Sequence, residues 1–146
     1  MKKTLGIAFA LIGISAAAVA AGSQDDIIKM RQRLMDSNGQ AAKVAVSMIR
    51  GDLPFDAKVA AAVVTSISHD NAVIPDLFPD GSDKGDTKAG PAAFSDKAGL
   101  KAISLKMVTD AKAAADAAAK GKDAFAEAFK AVGANCQSCH EKYRQS

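Results

Sequence analysis

KDAFAEAFKAVGANCQSCHEKYR, residues 122–144, is the stretch whose reading decides the fold. Phe125, Ala128, Phe129 and Val132 recur at helical spacing, which predicts a helix with one apolar face turned to a core. The same helix carries Cys136-Gln137-Ser138-Cys139-His140, the C-x-x-C-H signature of covalent haem attachment. The chemistry accounts for the spacing. Each sulfur adds across one vinyl group, so both thiols must stand about one helical turn apart and face the same way. The next residue, His140, then falls under the ring, where its imidazole is placed to bind iron as the proximal ligand.

Three plainer readings of the cysteines compete. A disulfide between Cys136 and Cys139 closes a very short loop and gains little from chain entropy. A zinc site wants four ligands, yet the chain has two cysteines in all, and its other histidine is His69. A thioredoxin-like dithiol belongs near a βαβ pattern, and no segment here alternates like a strand. Haem attachment uses every residue of the motif.

Upstream, helix formers dominate. A first helix is predicted over about Gln24 to Arg50, with Asp25 and Asp26 at its positive end, and Gly51-Asp52-Leu53-Pro54 breaks it. A second is predicted from about Asp56, read as its N-cap, to Val73. Ile74 to Gly90 is irregular, rich in proline and glycine. A third helix is expected to start near Pro91 and run without interruption to Lys120, where Gly121 ends it. Four helices with two short connections and one long one predict an all-α, antiparallel up-down four-helix bundle with haem in its core. A buried macrocycle also supplies bulk to an alanine-rich chain with no tryptophan and one tyrosine.

The first residues point the same way. Lys2 and Lys3, an apolar run from Leu5 to Val19, and Ala18-Val19-Ala20 read as a secretory signal, residues 1–20, cleaved near Ala21. Residues 21–146 are then one exported, periplasmic domain with no stable membrane insertion. Without Lys2 and Lys3, seventeen basic residues face sixteen acidic ones, which is no footprint for nucleic acid. No paired-carboxylate, triad or phosphate-cradling constellation stands out, so no enzyme is expected.

With these features together, the chain resembles the class II cytochromes c: cytochrome c prime and its low-spin, methionine-ligated relatives such as cytochrome c-556. The specific part is Val132-Gly133-Ala134-Asn135 leading into the haem motif and on to Tyr143-Arg144; Ile28 to Met35 adds a moderate match. The resemblance implies that Met35, four residues after Arg31, faces the iron from the distal side. Methionine there, followed by Asp36-Ser37-Asn38-Gly39, is like the low-spin branch, with a His/Met iron suited to one-electron transfer. The competing reading of Met35 is ordinary core packing. Arg31 and Gln32 resemble residues that approach the haem edge and propionates, and Gly85-Asp86-Thr87 lies where the family brings polar groups to the haem rim.

Two functions follow from the resemblance. One is a carrier passing one electron between redox partner proteins. The alternative is a five-coordinate protein that binds nitric oxide or carbon monoxide. A homodimer through the first two helices, near Lys43 and Val44, is a further expectation, whereas His69 reads as solvated. Expressed in a host that matures c-type cytochromes, the mature polypeptide is expected to weigh one haem more than the bare peptide from about Ala21. Intact mass spectrometry reads this directly, and a bare-peptide mass would overturn it.

Overall fold

Ser23 opens the first helix of the computed structural model, which describes residues 23–145. The expected export signal, residues 1–20, lies outside the described residues. Helix α1 spans Gln24–Arg50 and begins with a capping box: Asp26 N–H donates to Ser23 Oγ, and Ser23 N–H donates back to the Asp26 carboxylate, each at 3.2 Å. The Ser23 hydroxyl, which donates to the same carboxylate at 2.7 Å, and then the Ser23 N–H hold the Asp26 carboxyl below its ordinary pKa. Helix α2, Ala57–Val73, has Asp56 as its N-cap, accepting from Lys58 and Val59 N–H at 2.8 and 3.0 Å. A 3-10 turn, Ile74–Leu77, leads into the long loop.

The expected third helix is two helices. A single turn, α3 (Ala92–Ser95), is followed by α4 (Lys97–Ala118), with the break at Asp96. Asp96 takes non-helical angles (φ −114°, ψ 58°) so that its carboxylate can accept from Gly99 N–H at 2.9 Å. A short polar side chain that bonds local backbone competes with helix continuation, and here it wins. After Gly121, α5 spans Lys122–Tyr143, close to its predicted bounds.

The result is a four-helix bundle of α1, α2, α4 and α5, with α3 a one-turn appendage. Among the described residues there is no strand, and one isolated antiparallel bridge joins Ala89 to Arg144. Helix α2 packs against α1 and α4, and α4 against α5, whereas α1 and α5 meet only sparsely. The core accordingly falls into two clusters. The larger fills the end of the bundle near the α1–α2 turn, where buried alanines such as Ala45, Ala60, Ala111 and Ala114 bring helices close around Met48 and Phe125. Phe125 stacks obliquely on Phe55 and Phe129, with centroids 5.9 and 5.7 Å away. The smaller cluster, Ala93, Leu100 and Tyr143 with Phe78 and Phe94 against it, closes the other end. Val44 lines a shallow groove between α1 and α2, beside the exposed Lys43.

Phe125 is 0% exposed, so Phe125→Ala is expected to cost the haem-loaded protein about 3–5 kcal/mol. Val59→Ala, on an exposed face of α2, should stay within about 0.5 kcal/mol. Denaturant titration of the two variants in parallel checks the contrast.

Candidate haem site

The last turns of α5 carry the haem motif between the two core clusters. Cys136 packs against the larger cluster and Cys139 against the smaller, and both are half-buried free thiols. Gln137 and Ser138, between them, are exposed, and His140 lies at the surface with its ring partly desolvated. Three residues advance a helix by nearly a full turn, so both sulfurs stand on its inner side. Burial pushes both thiols above their ordinary pKa, and for Cys139 the neighbouring Cys136 adds to the shift. A thiol switch needs the opposite, a lowered pKa that exposes thiolate. The His140 imidazole is shifted down, first by burial and then by the positive charge of Arg144, which favours the neutral form that can ligate a metal. Among the described residues, no three of histidine, cysteine, aspartate and glutamate gather as a metal cluster of their own.

The backbone beyond the motif is pinned. Gly90 N–H donates to Tyr143 C=O at 2.7 Å and Gln145 N–H to Lys88 C=O at 2.9 Å, so the long loop is zipped onto the end of α5. Asp96 ties the start of α4 to the same turn. Its carboxylate accepts from Lys142 Nζ at 2.7 Å and from the Tyr143 hydroxyl at 3.0 Å, besides Gly99 N–H. These donors hold its pKa at about 2, the Lys142 bond being the largest cause. A Cβ on Gly99 would collide with the Asp96 carboxylate and come within 2.5 Å of the Tyr143 hydroxyl, so a side chain there would have to push both groups aside.

The distal candidates sit on α1. Arg31 is only 7% exposed. Its guanidinium donates to Leu77 C=O (2.9 Å), Ser82 Oγ (2.8 Å), Ser82 C=O (2.6 Å) and Thr87 Oγ1 (3.3 Å). It also lies over the rings of Phe78 and Phe94, 4.8 and 5.6 Å from their centroids. Gln32 Nε2 donates to Asp86 C=O at 2.9 Å. The structure therefore brings Arg31, Gln32 and the Gly85–Thr87 stretch together. It joins them through the Asp86 backbone, while the Asp86 side chain is on the surface. Met35 follows one turn after Arg31 and is 37% exposed, outside both core clusters. A Cβ on Gly39 would meet nothing within 4 Å, which leaves open space one turn further on. His69 is exposed near the end of α2, as expected of a solvated residue.

Four further residues stand out in the structure. Asp96 was findable, since an aspartate ahead of a helical run is an N-cap signal. Ser82 carries no signal at all. Asn38 Oδ1 and Asp70 Oδ2, buried without partners, show themselves only in three dimensions.

This arrangement fits a covalently held haem. Two sulfurs on one helix side bridge the boundary between apolar clusters, an imidazole follows directly, and α5 and α1 leave their mutual face thinly packed. The Met35 thioether belongs to α1.

A family model described as Cytochrome C' matches residues 26–144. The chain is 33% identical to cytochrome c-556 of Agrobacterium fabrum, over 97% of this chain and 94% of that protein. It is 32% identical to cytochrome c' of Rhodopseudomonas palustris, over 84% of each. Among solved structures, cytochrome c prime from Shewanella frigidimarina superposes with a TM-score of 0.79 at 28% identity, covering 86% of this chain and 99% of that one.

Because the Asp96 pKa of about 2 lies below the ordinary 3.8, ionised Asp96 stabilises the fold. That contribution is complete above about pH 5 and drains away as pH falls through 2. The stability gap between the native protein and Asp96→Asn should therefore narrow steadily from pH 5 to pH 2. A gap that is flat over this window in denaturant titrations would contradict the assignment.

Proposed function

This chain belongs to the cytochrome c' family, and from that premise we propose that it is an exported one-electron carrier whose His140 and Met35 are the axial iron ligands. Its cofactor is a covalently attached haem c, which supplies a one-electron iron couple when bound. In this reading Cys136 and Cys139 anchor the group through thioether links, and His140 offers a neutral imidazole from the same helix. Met35 offers a thioether, a soft ligand suited to ferrous iron that raises the reduction potential. With haem bound, His140 and Met35, each held on its own helix, would limit rearrangement between oxidation states and so favour fast, reversible transfer. The two apolar clusters keep water from the inner side of both sulfurs. Arg31 and Gln32 hold the loop that borders the site.

The observation that carries this reading is Met35 itself. A large thioether is left outside the core on α1, the helix that meets His140's own helix only sparsely. The match to a cytochrome c-556 over nearly the whole chain supports it. The match to a cytochrome c' supports the second reading, an open iron that takes up nitric oxide or carbon monoxide.

Visible spectra of the ferric and ferrous protein separate the two. The native protein is expected to be low-spin, and Met35→Ala to convert it fully to a high-spin form with a lower reduction potential and ready carbon monoxide binding. A high-spin spectrum in the native protein would favour the second reading instead.

A further inference from the structure

Arg31 is a buried cation whose charge is met by dipoles. Among the described residues no carboxylate pairs with it. A guanidinium has five N–H donors, and the four on its two terminal nitrogens go to the loop, to oxygens of Leu77, Ser82 and Thr87. The aromatic faces of Phe78 and Phe94 offset more of the desolvation cost. Such a group is expensive to disturb, because removing it strands several buried acceptors at once. Next to it, Gly85 has φ +105° and lets the loop approach α1 so closely that a Cβ would stand 3.3 Å from Ile28 Cδ1.

The far end of the same loop is fastened to α5 by the Ala89–Arg144 bridge and the bonds around it. The loop thus spans two helices that scarcely touch each other, one bearing Met35 and the other His140. Arg31 and Met35 are i and i+4 on α1, so fixing the first fixes the axial position and rotation of the second.

We infer that Arg31 is a positioning residue: by locking α1 to the loop that is itself fastened to α5, it holds Met35 at the distance from His140 that a shared iron requires. The inference rests on the His/Met reading above. It rests on the four bonds that the terminal nitrogens of Arg31 donate to the loop's carbonyl and hydroxyl oxygens. Arg31 acts through Met35 and through the loop.

The test uses the haem-loaded protein with Arg31→Met, Arg31→Lys and the double variant Ser82→Ala/Thr87→Val. The readouts are the low-spin fraction in the visible spectrum and hydrogen exchange of the amides of residues 78–88. Arg31→Met keeps an apolar stem and deletes the donors. It should lower the low-spin fraction and speed loop exchange at least tenfold. The double variant, which leaves Arg31 intact, should move both readouts the same way. Arg31→Lys should fall between, since one ammonium cannot reproduce the guanidinium fork.

A native low-spin spectrum retained in Arg31→Met would overturn the inference and leave the ligation reading standing. So would full rescue by lysine with a silent double variant, which would assign Arg31 a charge effect. A native protein that is already high-spin would sink the ligation reading and this inference with it. If Arg31→Met yields no loaded protein, the double variant decides alone.

Discussion

Burying one guanidinium that meets no carboxylate among the described residues is the constraint around which the rest of this bundle is arranged. Arg31 can be 7% exposed because an irregular loop turns its carbonyl and hydroxyl oxygens inward to meet it. That requirement keeps the loop from Leu77 to Thr87 folded back on α1. The loop then has a defined exit toward α5, where Lys88 to Gly90 pair with Tyr143 to Gln145. Burial lowers the Arg31 pKa, but guanidinium stays charged at any pH the protein meets, so the lock carries no pH switch of its own.

The thin contact between α1 and α5 gains its meaning from this. In an ordinary up-down bundle every neighbouring pair buries a continuous stripe. Here the alanine-rich end does so, with α1, α2, α4 and α5 all contributing to one cluster, while the opposite end relies on a small cluster and on polar ties. The motif cysteines stand where one regime gives way to the other. Packing strength is concentrated away from the site, and precision of placement near it comes from hydrogen bonds to Asp96, Arg31 and the loop backbone.

Much of this was legible in the chain. Acidic residues at its start and the Gly51–Pro54 breaker marked the bounds of α1, and Asp56 announced α2. The haem motif is local, so five consecutive residues suffice to state its chemistry. The proposed roles of Arg31 and Gln32 rested on resemblance, and the structure adds that both engage the loop. What stayed hidden depends on partners distant in sequence. Arg31 meets oxygens 46 to 56 residues away, in a segment with no periodicity to read. The break at Asp96 was missed because Pro91 to Lys120 is rich in helix formers throughout. The partners that hold the aspartate in place, Lys142 and Tyr143, lie at the other end of the molecule's sequence.

Gly99 shows where such a design leaves no slack. In the first turn of α4, alanine would be worth about 1 kcal/mol more than glycine by intrinsic preference. Yet any side chain there would displace both the carboxylate and the phenol that share its space. A survey of tolerated substitutions would find a gap at a residue that bears no functional group. Mutational intolerance near this cofactor would thus mark geometry as sharply as chemistry, and a methyl group would do the damage that elsewhere takes a lost ligand.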